Sequence, residues 1–247
     1  MKQVILMKIA IALFTFVLSI TNASAAPNDA RFEKANSEYA AGNFKEAISD
    51  YNTLVQSGEW SANLFYNLGN AYYRAGDYGH AILNYERALR IDWQHPEAQA
   101  NLRIARDETH GLELTPSLFE RYVSAGSIGA FTLAAAILFW LAVMLLVMPS
   151  RRSFLMGAIF CFVLSGCCAI AIYTLVHGPR GQALAVIIRN NVEARVATAD
   201  TARTVLALPP GSEVLIVQPR GDWTYAALPN DQRGWIPTEA VEKVQLE

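Results

Sequence analysis

Cysteine is scarce in this chain and badly placed for covalent bracing. There are three, Cys161, Cys167 and Cys168, all inside one apolar run. The polar regions on either side can therefore carry neither a disulfide framework nor a cysteine nucleophile. Basic excess is missing too. Residues 26–126 hold nine Lys and Arg against fourteen Asp and Glu, and residues 177–247 hold seven against eight. Nucleic-acid binding would leave a positive footprint, and none is present. Histidine is limited to His80, His95, His110 and His177, without metal-ligand spacing. No Gly-rich phosphate loop opens a helix and no G-x-S-x-G elbow occurs. Paired carboxylates such as Asp107-Glu108 fit the solvated side of a helix. These absences lead to the expectation of a non-enzyme that holds no metal and no cofactor.

Charge itself is lacking in two long runs, Ser127–Met148 and Phe154–Val176, which contain no Asp, Glu, Lys, Arg or His. A hydrocarbon core of about 30 Å needs roughly 20 apolar residues at about 1.5 Å each, so both runs are long enough to cross it. Soluble core helices rarely stay uncharged for that length. The connection, 149–153, carries Arg151 and Arg152 and is too short for anything but an antiparallel hairpin. Positively charged loops stay in the cytoplasm, so both flanking regions are expected outside it. No ionisable residue lies within either run, which argues against a channel, a pump or a proton relay. Trp140 is expected to face the partner span. Gly157, Ser165, Gly166 and the neighbours Cys167 and Cys168 read as small residues for helix-on-helix packing, with a redox pair as the alternative for the two cysteines.

Residues 1–25 read as a cleaved signal peptide, with a retained anchor as the alternative. Lys2 and Lys8 supply a positive start, Ile9 to Ile20 an apolar middle, and Ala23-Ser24-Ala25 a small-x-small cleavage site. Export of the region from Ala26 onward agrees with the orientation given by the arginines. The expected location is a bacterial inner membrane with both flanking domains in the periplasm.

From Ala30 to about Glu108 the sequence repeats every 34 residues. Gly42 recurs as Gly76, Ala47 as Ala81, Tyr51 as Tyr85, Asn36 as Asn70 and Tyr39 as Tyr73. A period of this size indicates stacked helical hairpins. Ala41-Gly42-Asn43 and Ala75-Gly76-Asp77 are the turns, with Gly ending one helix and Asn or Asp capping the next. The second copy, with Phe65, Leu68-Gly69, Tyr72, Ala81, Tyr85 and Ala88, resembles the tetratricopeptide repeat. The expected division is an all-α repeat domain over 26–110, with copies at about 28–61 and 62–95 and a capping helix at 96–108. A juxtamembrane linker, 111–126, then enters the membrane hairpin, with Thr115-Pro116 as a helix start and Tyr122 as an interfacial anchor. That linker is short enough to hold the repeat close to the bilayer.

One stripe of the repeat, Phe65, Leu68, Gly69 and Tyr72, is expected to pack helix on helix. A second stripe carries Phe32, Asn36 and Tyr39 in the first copy and Tyr66, Asn70 and Tyr73 in the second, with Asn67 and Asn101 beside it. In the resembled family this face looks into a concave groove for proteins or extended peptides. An Asn there can bond a peptide backbone and a Tyr offers rigid contact area. The alternative is that the Asn residues bridge helices and the aromatics fill the core. Phe32 stands where the family's peptide-carboxylate clamp has a lysine, so capture of a free chain terminus is not expected.

After Gly178-Pro179 the pattern turns to short β-rich runs: 185–188, 192–196, 205–207, 214–218, 223–227 and 234–236. They are separated by Pro209-Pro210-Gly211, Pro219-Arg220-Gly221-Asp222 and Pro229-Asn230-Asp231. This predicts a small closed all-β barrel over 184–247. Gly221-Asp222-Trp223 and Gly234-Trp235-Ile236 resemble bacterial SH3-like domains, which bind cell-wall peptides, glycan or proteins. Trp223, Tyr225 and Trp235 are then a candidate ligand face; the alternative, stronger for the two tryptophans, is that they are core.

The whole order, signal peptide, repeats, two spans and SH3-like domain, is similar to the BatE-like component of the Bat aerotolerance operon. That resemblance implies an envelope scaffold whose partners are von Willebrand A-domain membrane proteins, with peptidoglycan as the other implied ligand.

Overall fold

The computed structural model describes residues 29–115, 128–147, 152–177 and 183–246. The signal-peptide reading, most of the linker with Tyr122, and Arg151 lie outside the described residues, as does the side chain of Arg152. The chain forms two compact units. One holds the two long apolar helices. The other holds the repeat and the β-rich region together.

Five helices make the repeat: α1 (Asp29–Ala40), α2 (Phe44–Gln56), α3 (Ala62–Arg74), α4 (Tyr78–Ile91) and α5 (Pro96–Thr109). The two turns close alike. Gly42 and Gly76 take φ of +84° and +81°, a region where a side chain is strained. Each helix end is then tied by paired bonds: Gly42 N to Tyr39 O and Asn43 N to Glu38 O, Gly76 N to Tyr73 O and Asp77 N to Tyr72 O. The caps differ. Asp77 accepts from the amide of His80, whereas Asn43 makes no cap and donates to Glu38 instead. Gly69 lets α3 and α4 close up, since a Cβ there would stand 2.7 Å from the Tyr85 ring. Tyr51, Tyr85, Phe65, Leu64 and Leu68 are fully buried.

The β-rich region forms seven strands: β1 (Leu184–Ile187), β2 (Val192–Arg195), β3 (Thr204–Leu208), β4 (Glu213–Arg220), β5 (Trp223–Ala227), β6 (Arg233–Pro237) and β7 (Val241–Lys243). The sheet order is β3-β2-β6-β5-β4-β1-β7, and each pairing is antiparallel. Its inner face buries Ala185, Ile187, Val192, Ala194, Leu208, Val214, Ala226, Leu228 and Ile236.

The expected closed barrel is not formed: β3 and β7 end the sheet and do not pair with each other. On the β1–β7 side, helix α4 packs against the outer face of the sheet. Leu184, Val186 and Val244 turn outward and share a core with Ala81, Ile82 and Leu83 of α4. Arg87 of α4 donates to the carbonyls of Lys243 and Val244, at 2.9 and 3.3 Å, and pairs with Glu242 at 2.7 Å. A second arginine ties the sheet to the repeat through α5. Arg106 bonds Glu86 of α4 and Glu213 of β4, and Glu213 also accepts from the Leu114 amide. Repeat and sheet thus share apolar and polar contacts.

The other unit is an antiparallel pair, α6 (Ile128–Val147) and α7 (Arg152–His177). Both are long and apolar enough to cross a membrane, and the most apolar windows of the two are only 6% and 17% buried, unlike the core helix of a soluble protein. Small residues form the seam: Ala142, Ala158 and Cys161 are buried, and Ser165 Oγ donates to Ala135 O at 2.9 Å. Cys167 faces outward and Gly166 has open space above it, so neither packs in the seam. All three cysteines are free thiols.

Candidate partner-binding groove

The eight stripe residues lie on α1, α3 and α5, the first helices of successive repeat units, and four of them are joined in a ladder of side-chain amides. Asn36 Oδ1 accepts from the Tyr51 hydroxyl at 2.7 Å and from Asn67 Nδ2 at 3.0 Å. One period later Asn70 Oδ1 accepts from the Tyr85 hydroxyl and from Asn101 Nδ2, both at 2.8 Å. Each asparagine therefore bridges three helices and satisfies a tyrosine that is about 1% exposed. Burial disfavours the phenolate, so the Tyr51 pKa is pushed up to about 12, a rise that its side-chain amide neighbourhood moderates. Tyr85 moves the same way for the same reason.

The ladder borders a concavity of about 220 Å³, lined by Tyr39, Asn70, Tyr73, Arg74, Tyr85, Asn101 and Ile104. Four of the stripe residues, Tyr39, Asn70, Tyr73 and Asn101, thus meet in one hollow. Its aromatic walls are braced from behind. Tyr39 packs on Phe44 at 5.6 Å and Tyr73 packs edge-on against Tyr78 at 5.3 Å. The other four lie apart from it. Phe32 leans on Tyr51, Tyr66 sits between Tyr85 and His95, and Asn36 and Asn67 belong to the earlier rung. The stripe omits Arg74, Tyr85 and Ile104. Tyr85 was legible from its 34-residue recurrence with Tyr51, fifteen residues after each asparagine. Ile104 falls 34 after Asn70 and 68 after Asn36, so it replaces the amide in the third rung.

On the sheet, Tyr225 and Trp235 face each other across β5 and β6, with ring centroids 4.9 Å apart. Trp223 lies on the same outward face opposite Pro237. All three are partly exposed, while their strand neighbours Thr224, Ala226 and Ile236 are buried. The tryptophans are therefore not core residues. Arg195 stands directly beside Trp235 and extends the row. Among the described residues no group of His, Cys, Asp and Glu is arranged to hold a metal.

Residues 32–96 match the family model of the tetratricopeptide repeat, a span that runs from α1 to the first residue of α5. No curated protein matches the chain.

Proposed function

We propose that the protein is a non-catalytic, membrane-held adaptor whose repeat concavity takes an extended segment of a partner protein. Tetratricopeptide repeats are protein-interaction scaffolds and are typically non-catalytic, which is the coarse basis of this reading. The observation that carries the finer reading is the hollow at the ladder: braced aromatic walls beside side-chain amides that keep unused bonding capacity. The eight groove residues proposed are Phe32, Asn36, Tyr39, Tyr66, Asn67, Asn70, Tyr73 and Asn101, with the binding strength centred on the four that line the hollow.

Two membrane-length helices support a membrane location. Repeat and sheet share a core, and one core does not straddle a bilayer. A hairpin that crosses must therefore return, which favours an even number of crossings. With Arg151 and Arg152 inside, the repeat and the SH3-like region over 184–247 would both lie in the periplasm of a bacterial inner membrane. The order of segments resembles the Bat aerotolerance scaffold, so von Willebrand A-domain membrane proteins are the proposed partners. The test is co-purification of the tagged full chain in mild detergent. Known members of such a complex should be retained by the native chain and lost from a Tyr39→Ala, Tyr73→Ala double variant whose helical content is unchanged. Equal retention by both would overturn the groove assignment. Protease added to spheroplasts should digest the repeat and the sheet; protection of both would reverse the proposed orientation.

A cell-wall anchor is the second reading, favoured by the partly exposed Tyr225–Trp235 pair, whose ring faces suit stacking on a sugar or peptide. Here the full chain should sediment with purified peptidoglycan and Trp235→Ala should not.

A further inference from the structure

We infer that the concavity selects a segment carrying an aliphatic side chain next to one side-chain carboxylate, read by Ile104 and Arg74. This rests on the groove reading above and adds the chemistry of the occupant.

Arg74 is the last residue of α3 and lines the hollow. Its guanidinium lies 4.9 Å over the Phe44 ring, which holds it in place without neutralising it. Among the described residues it has no carboxylate partner. Several other cations of the repeat do: Lys34 pairs with Asp50, Arg87 with Glu242, Arg106 with Glu86 and Glu213. An oriented, uncompensated guanidinium at the rim of a concavity attracts an anion and repels Lys or Arg.

Ile104 supplies the apolar half. The two earlier rungs place Asn36 and Asn70 at this position; the third places an isoleucine that is 50% exposed. Between the two halves, the ladder uses Asn70 Oδ1 and Asn101 Nδ2 internally. Asn70 Nδ2 and Asn101 Oδ1 remain, one donor and one acceptor, which is the pair that a main-chain carbonyl and amide require. The volume of about 220 Å³ is below that of a typical small-molecule pocket and suits one or two side chains of an extended chain.

The experiment is panning of a phage-displayed library of random octapeptides, each flanked on both sides by linker and coat sequence, on the full chain held in detergent micelles. Internal display leaves no free chain terminus at the random segment. The native chain should enrich Asp or Glu adjacent to Leu, Ile or Val. Arg74→Glu should weaken a selected blocked peptide by about tenfold, equivalent to about 1.4 kcal/mol, and should shift enrichment to Lys or Arg. Ile104→Asn should remove the aliphatic preference and keep the acidic one. Both side chains are exposed, so circular dichroism should be unchanged in either variant. If Arg74→Glu enriches the same peptides as the native chain, the inference is overturned while the groove reading stands. If Tyr39→Ala, Tyr73→Ala binds the selected peptides as well as the native chain does, the groove reading falls with it.

Discussion

Tyr51 shows how a single buried hydroxyl couples this protein to pH. Its pKa stands near 12 when folded and near 10 when unfolded, because burial penalises the phenolate. Below the unfolded value both states carry the proton and the contribution is whole. Above about pH 10 the unfolded chain ionises first, so stability falls as pH rises toward 12. The loss from this group is on the order of 2 kcal/mol. Thermal melts at pH 8, 10 and 11 should show a steeper alkaline decline for the native chain than for Tyr51→Phe. Asn70 is a second residue whose removal reaches past its own contacts. Asn70→Ala would leave the Tyr85 hydroxyl without its acceptor in the core and should cost about 1–3 kcal/mol. The double variant with Tyr85→Phe should lose less than the sum of the singles in a denaturation cycle. The recurrence of Asn36 as Asn70 was plain in the sequence. That their oxygens are occupied by buried tyrosines was not, because spacing along one helix says nothing about the side chain arriving from the next.

The same gap between pattern and contact recurs among the elements. Six of the seven strands, and the helices of both repeats, follow from the alternation of turn residues with periodic apolar ones. The seventh strand, Val241–Lys243, has three residues and too little alternation to stand out. The packing of the sheet on α4 does not follow from the strand and helix pattern, yet it leaves a trace in the sequence. Gly79, Leu83 and Arg87 lie on one face of α4; one period earlier the same face of α2 carries Lys45, Ser49 and Thr53. The polar set stays in solvent, and the other set meets Ile188, the shared core and β7. A Cβ at Gly79 would stand 2.6 Å from the Ile188 carbonyl oxygen. Gly79→Lys with Leu83→Ser should therefore separate sheet from helix, visible as faster amide exchange across Val241–Val244. Arg106→Met tests the polar tie. Glu86 and Glu213, whose side chains are only 16% and 7% exposed, would face each other without their cation, at a cost of about 3–5 kcal/mol. A thermal midpoint unchanged from the native chain would refute that role for Arg106.

At the scale of the whole molecule, the repeat and the sheet form one compact unit although the two long apolar helices separate them along the chain. Two repeats and a cap are few for a free-standing stack, since each unit depends on neighbours to cover its apolar face. The sheet covers α4 in place of a further unit. Calorimetry on the full chain should therefore record repeat and sheet melting in a single transition. A chain ending at His177 should lose its helical signal at a lower temperature than the full chain, with Ile82 and Leu83 bared; an unchanged helical melt would mean the repeat stands alone.

That α4 is lined by residues encoded a hundred positions downstream also sets a timetable. Translation delivers the helices first, while Ile82 and Leu83 still wait for Leu184, Val186 and Val244. During that interval the nascent repeat has a sticky flank, and only after the two apolar helices have been synthesised can the late strands arrive to seal it. Ribosome stalling before residue 183 should thus leave a species prone to chaperone capture and degradation, which release of the stall would rescue.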